Sequence, residues 1–390
     1  MSILHSNWGR PVAEVVTAGF RVGQKVAGPA LRGAQTLVGK VHLRELVERT
    51  PEKQRATSRV VYDFFSGIGP ELAHPGGSLP GANQWDVKPN DEHPVPVILV
   101  HGTAGGAQTN WGTYVPLLVD AGFSVFTLTY GAIEGARWPI SALGGMKRIE
   151  ESAAEFGAFA ENVLAATGAS QIDVVGHSQG TLIPGYWAKF LGGEGKIRRY
   201  VSLAPLWEGT STLTRTRPAA IELRDRYGVE PGAVIPCHAL PQMMVGSHFI
   251  DKMNSGGTPY VEGIEYTNIS TEHDELVRPY TSGQVPGGDG MDVTNIVLQD
   301  GCSKDLSDHL GICGSPRAAA LVLNALEGRD VRNVPCQWVA PFFGSPLLRR
   351  TGGLPDVIVP LHPQAEASEI DSSTAAAQVS NNPEMRTGHV

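Results

Sequence analysis

Apolar residues gather in short, separate runs along the middle of the chain. Residues 95–100 (VPVILV) form one and end at His101-Gly102. Others lie at 124–130 (SVFTLTY), 172–175 (IDVV), 199–204 (RYVSLA), 263–270 and 293–298. Runs this short suit strands covered on both faces. Between them the period changes. Residues 147–167 alternate Glu with Ala, Phe, Val and Leu at helical spacing, and residues 180–191 and 316–326 (PRAAALVLNAL) also read as helices. Strands alternating with helices predict an α/β fold with a mostly parallel central sheet and helices on both faces.

Four stretches break this rhythm. Residues 11–50, rich in Ala, Val and Leu, read as helical with a break near Gly28-Pro29. Residues 67–94 carry Gly67, Gly69-Pro70, Pro75-Gly76-Gly77 and Pro80-Gly81, and predict a long loop leading into the core. Residues 206–258 mix Leu, Met and Ile with charges and prolines and read as an inserted cap. Met243, Met244, Val245, Phe249 and Ile250 within it either line a groove or pack into the core. Residues 363–390, rich in Ser, Ala, Asn and Gln without periodicity, read as a disordered tail.

Composition narrows the picture. The 390 residues are 41% hydrophobic and 18% charged, enough apolar material for a sizeable core. A net charge of −8 gives no reason to expect nucleic acid as a partner. The charge is uneven: residues 1–60 hold ten Lys/Arg against four Asp/Glu, net +6, which leaves −14 on the remainder. Such a segment is either a solvated helical extension or a contact for an anionic membrane surface. No stretch approaches the roughly 20 apolar residues of a membrane span. Arg21, Lys25, Arg32 and Lys40 interrupt the apolar residues at 12–41, so no clear signal peptide is visible. Four cysteines, Cys237, Cys302, Cys313 and Cys336, suit a reducing compartment or one to two bridges, with three full pairings open.

The candidate chemistry centres on residues 176–180, GHSQG, a match to Gly-x-Ser-x-Gly. The string alone is a weak signal. Its setting, directly after a buried strand and at the start of a helix, is that of a nucleophile elbow, with Ser178 as the nucleophile. A serine hydroxyl needs a base to take its proton and an acid to orient that base. In this setting the acid follows a later strand and the base follows the next one. Asp274 stands in the first position, with Glu272 and Glu275 as rivals and Pro279 ending the loop. His309 stands in the second and is the sole histidine between residues 274 and 361; His273 is too close to the acid, and His362 is late and flanked by prolines. Asp308 reads as a turn residue. An oxyanion would find backbone amides at Gln179 and in the loop 101–106 (HGTAGG), where Thr103 is the candidate, its hydroxyl offering a third hydrogen bond.

With these residues in place, the sequence resembles the bacterial class 2 lipases and the fungal lipase B group over residues 95–327. The resemblance rests on ordered strings: HGTAGG at 101–106, Asn110-Trp111, GHSQG at 176–180, Ala204-Pro205 with Glu208-Gly209-Thr210, Gly246-Ser247 leading to Asn254 and Gly256-Gly257, Asp274-Glu275 with Pro279, and Gln299-Asp300 with Cys302 before His309. It implies an α/β-hydrolase fold with a helical cap insertion and hydrolysis of acylglycerols or other carboxylic esters. It implies no cofactor and no metal, Ser178, Asp274 and His309 as triad, and Thr103 in the oxyanion site. It also implies a bridge at Cys302, with Cys336, Cys313 or Cys237 as partner. The expected organisation is a basic helical extension at 1–60 and a hydrolase domain at 61–345 with its insertion at about 206–258. A C-terminal extension at 346–390 completes it. Residues 1–60 have no counterpart in the family pattern. The expected protein is a monomer, secreted or associated with the cell envelope, with peripheral membrane contact through residues 1–60. The same triad would also serve an acyltransferase, and a non-catalytic hydrolase-like binding protein would normally show a broken one.

Overall fold

The apolar runs assemble into a six-stranded, wholly parallel sheet. Its strands are β1 (Val97–Val100), β2 (Val125–Thr127), β3 (Ile172–His177), β4 (Ile197–Leu203), β5 (Glu265–Ser270) and β6 (Asp292–Val297), side by side in the order β2-β1-β3-β4-β5-β6. The computed structural model describes residues 60–212, 237–330, 334–342 and 344. The expected helical extension at 11–50, the central part of the expected insertion and the tail at 363–390 lie outside the described residues.

Seven helices accompany the sheet among the described residues: α1 (Ile68–Ala73), α2 (Tyr114–Asp120), α3 (Ile149–Thr167), α4 (Ile183–Phe190), α5 (His248–Met253), α6 (Leu298–Gly301) and α7 (Pro316–Glu327). They cover both faces, which explains the unbroken apolar runs. Ile98, Val100, Phe126 and Val174 pack against Ile149, Ala153, Phe156 and Ala160 of α3 and Ile183 and Trp187 of α4. Their neighbours Val97, Leu99, Val125 and Val175 point the other way, onto Tyr114, Val115 and Leu118 of α2 and Leu321, Val322 and Leu326 of α7. Successive strand side chains point to opposite faces, so a strand buried on both sides needs apolar residues at every position.

The parallel register decides where chemistry can gather. Val100 lies opposite Gly176, His177 opposite Leu203, and Leu203 opposite Ile269. The C-terminal ends of β1, β3, β4 and β5 therefore form one rim. The loop after β1, the turn after β3 and the loop after β5 all leave from it, the usual place for a ligand crevice in an open parallel sheet.

Several expectations need correction. The stretch at 67–94 is not all loop, because α1 forms within it. Pro70 falls in the first turn, where its missing N–H costs nothing. Glu71 is buried and accepts hydrogen bonds from the Gly76 amide (3.0 Å) and Gln108 Nε2 (2.7 Å), which pin the helix to the body. The second strand is shorter than 124–130. The helix expected at 180–191 begins as a 3-10 turn, Ser178–Thr181, before α4. Within the expected insertion, Met243, Phe249 and Ile250 join the main core and Met244 is buried too; only Val245 of that group is exposed. Their apolar surface is buried, that of Met243, Phe249 and Ile250 in the main core.

Cys302 and Cys336 form a disulfide that spans 34 positions. The alternative partners are excluded: Cys237 and Cys313 are buried free thiols. The bridge attaches the segment around Val339 to the loop after α6, and that segment continues the attachment through backbone bonds from Val339 to Lys304 (3.1 Å) and from Leu306 to Val339 (3.1 Å). Mass spectrometry after alkylation in denaturant should therefore find two modified cysteines without reductant, Cys237 and Cys313, and four with it; a third modified cysteine without reductant would contradict the bridge.

Candidate active site

β3 runs directly into Ser178, whose φ of 54° lies in the left-handed region that non-glycine residues rarely adopt. The conformation is imposed by crowding on both sides. A Cβ on Gly176 would sit 2.6 Å from the Gly180 carbonyl oxygen, and a Cβ on Gly180 would sit 2.0 Å from that of Val100. Glycine two residues before and two after the serine is thus a steric requirement of this turn. The Thr181 hydroxyl donates to the Ser178 carbonyl (2.7 Å) and closes the turn. The result holds the Ser178 side chain at the rim, at the entrance to α4.

The structure brings Ser178, His309 and Asp274 into one hydrogen-bonded row. Ser178 Oγ lies 2.8 Å from His309 Nε2, and His309 Nδ1 lies 2.8 and 3.0 Å from the two oxygens of Asp274. A carboxylate only accepts, so Nδ1 carries the proton and Nε2 is left free to accept from the serine hydroxyl. The Asp274 carboxylate is itself fixed by the amides of Leu276 (2.9 Å) and Val277 (2.7 Å). Burial pulls the His309 pKa down, but the Asp274 charge and hydrogen bond, with Glu275 and Asp308 behind them, outweigh it and raise the pKa above 6.5.

The rivals fall elsewhere. Glu272 is exposed, and its amide donates to Gln299 Oε1 (3.0 Å). Glu275 accepts the backbone N–H of His309 (3.1 Å) and does not reach its ring in a hydrogen bond. His273 is exposed beside Glu272. Asp308 accepts the amides of Gly311 (2.8 Å) and Phe342 (2.9 Å), a turn residue that also holds the C-terminal segment. His362 lies outside the described residues.

The loop after β1 is held open by two interactions. His101 stacks on Tyr130, with ring centroids 4.2 Å apart, and the Tyr130 hydroxyl donates to the His101 carbonyl (2.6 Å). Ala104 adopts a φ of 59° and donates its amide to Gly144 (2.9 Å). Among the described residues, no acceptor takes the Thr103 amide, and the Gln179 amide lies in the first turn after the elbow, where no intrahelical partner exists. The Thr103 hydroxyl does not point to an oxyanion position: it donates to Gln179 Oε1 at 2.7 Å. That bond ties together the two residues whose amides are the candidate donors.

Sequence reasoning did not assign the residues that join the acid loop to the histidine loop. The Thr271 hydroxyl donates to the Ser307 carbonyl (2.6 Å). Gln299 Nε2 donates to Thr271 Oγ1 (3.0 Å) and to the Asp305 carbonyl (2.8 Å). Asp305, fully buried, accepts from the Ser307 amide (3.0 Å) and the Ser315 hydroxyl (2.6 Å). The Gln299-Asp300 and Asp274-Glu275 strings were visible in the sequence, but their partners across the loops were not. Among the described residues, no group of three or more His, Cys, Asp or Glu is placed to hold a metal ion.

Comparison with known proteins agrees with this architecture. The family model described as lipase (class 2) matches residues 94–309. No curated protein matches the chain. Among solved structures, Aspergillus fumigatus lipase B is similar at 21% identity and a TM-score of 0.50, covering 64% of this chain and 55% of that one; the chain thus spans about half the length of that lipase. A Bacillus licheniformis lipase in mature form shares 13% identity at a TM-score of 0.40, covering 58% of this chain and 89% of that one. A Pyrobaculum calidifontis esterase shares 15% identity at 0.41, covering 62% and 78%. The parallel sheet, its helices and the lipase B likeness make this an α/β-hydrolase fold. With more than half of its length matched by the family model, the chain belongs to the lipase (class 2) family.

Proposed function

We propose that the protein hydrolyses carboxylic esters, acylglycerols among them, through an acyl-enzyme formed on Ser178. The observation that carries this reading is the row from Ser178 Oγ through His309 to the Asp274 carboxylate, with contacts of 2.8 Å at both ends of the imidazole. His309 takes the serine proton as Oγ attacks the acyl carbonyl. The amides of Thr103 and Gln179 receive the oxyanion, each such donor being worth about 3 kcal/mol. His309 then returns the proton to the leaving alcohol, and water, activated in the same way, releases the acid. Residues 61–345 form the hydrolase domain on this reading. Family membership supports an ester as substrate.

Labelling with a fluorophosphonate probe tests the nucleophile. The wild-type protein is expected to label and Ser178→Ala to lose the label; unchanged labelling of the variant would overturn the proposal.

The pH dependence follows from the row. Only neutral His309 can accept the proton, so kcat/KM is expected to be high above the His309 pKa and to fall as pH drops through it. That midpoint should lie above 6.5, because Asp274 raises it against the opposing effect of burial. Asp274→Asn removes the charge, so it should move the acidic limb to lower pH and cut kcat by about 10⁴-fold. A rate profile of both proteins checks this, and an unmoved limb in the variant would contradict the role given to Asp274.

A further inference from the structure

His177, the residue before the nucleophile, has no part in the proton path above. Yet it is almost fully buried, at 1% exposure, between the elbow and the histidine loop. Its Nε2 lies 2.9 Å from the backbone carbonyl of His309. A carbonyl oxygen only accepts, so this contact is a hydrogen bond when Nε2 carries the ring proton. On the other side, Nδ1 lies 3.1 Å from Asn110 Oδ1, an acceptor that already takes the Gly102 amide at 3.2 Å. A neutral ring has one proton and donates on one side only. The shorter contact, to a His309 carbonyl that no other donor reaches among the described residues, favours Nε2 as the donor. The ring is closely fitted: a Cβ on Gly102 would come within 3.0 Å of Nδ1, and Phe64 packs edge-on against it.

We propose that His177 is a positioning residue whose Nε2–H anchors the backbone of His309, so that the His309 imidazole meets Ser178 at hydrogen-bond distance. This rests on the role of His309 as base. His309 is carried on a loop and is held at three points. Asp274 holds its ring at Nδ1, Glu275 holds its N–H, and His177 holds its carbonyl. Only the third anchor comes from the residue adjacent to Ser178. It links nucleophile and base through one side chain, so the two move as a unit. A displacement of the order of 1 Å between reacting groups costs roughly 10²-fold in rate, and the loop bearing His309 has no other bond to the elbow's own backbone neighbours among the described residues. Burial first, then the nearby His309, push the His177 pKa down to about 3, so the anchor is neutral and does not repel the His309 imidazolium that forms during turnover.

The test compares kcat and KM on a soluble p-nitrophenyl ester, with fluorophosphonate labelling rates, for wild type and three variants. His177→Gln places a donor nitrogen near the Nε2 position; His177→Asn reaches only to the Nδ1 position; His177→Phe fills the space without a donor. Gln is expected to keep kcat within about fivefold, while Asn and Phe lose about 10²-fold in kcat and labelling rate with KM little changed. Full activity in the Phe variant, or equal losses in all three, overturns the proposal. Circular dichroism reports folding, and should Phe fail to fold, the difference between Gln and Asn decides. A wild type that turns over and labels on Ser178 while the variants show no graded loss defeats this inference alone; a wild type that does neither defeats the ester-hydrolase reading as well.

Discussion

The site depends on one close approach of backbone to backbone, Gly180 against the carbonyl of Val100, where no side-chain carbon fits. It seats the start of α4 against the end of β1. Ser178 is forced between them into a left-handed conformation, which costs on the order of 1–3 kcal/mol and persists only where surrounding structure dictates it. Here β3 dictates it, paired on both sides by β1 and β4 and covered on both faces by apolar side chains. The same approach brings the loop at 101–106 beside Gln179, so the proposed nucleophile and the candidate oxyanion donors share a single backbone arrangement.

The remaining partners arrive by another route. Asp274 and His309 stand on loops after β5 and β6, and loops hold side chains less firmly than strands do. The structure compensates with polar ties between the loops. Thr271, Gln299 and Asp305 join their backbones, the disulfide and the Val339 segment brace the outer side, and Asp308 adds a bond to Phe342. The elbow is thus set by steric exclusion, whereas Asp274 and His309, the proposed acid and base, are set by hydrogen bonds. Four carboxylates in this region each have a stated partner: Asp274 holds the His309 ring, Glu275 its amide, Asp305 the loop below it and Asp308 the turn after it.

Much of this architecture was legible in the sequence, for a physical reason. A strand buried on both faces and a helix with one apolar face each leave a local period, and the elbow leaves its glycines, because those constraints act between near neighbours. The order of Ser178, Asp274 and His309 along the chain was enough to pick residues that the fold brings into contact. What was not legible acts across distance. The Asn110 contact with His177, the Gln299 bridge and the choice of Cys336 over Cys313 and Cys237 join residues far apart in sequence. Composition also misled at 67–94, where glycine and proline suggested loop but the buried Glu71 has hydrogen-bond partners that hold a helix. It was ambiguous at Met243, Phe249 and Ile250, since a core and a groove ask for the same side chains.

The proposed hydrolysis requires a covalent intermediate at one oxygen atom. Rapid acid quench during turnover of a p-nitrophenyl ester, followed by peptide mapping, tests it most directly. An acyl adduct should appear on the peptide containing Ser178, and its level should rise when deacylation is slowed. Sustained turnover with no adduct at Ser178 would contradict an acyl-enzyme on that residue.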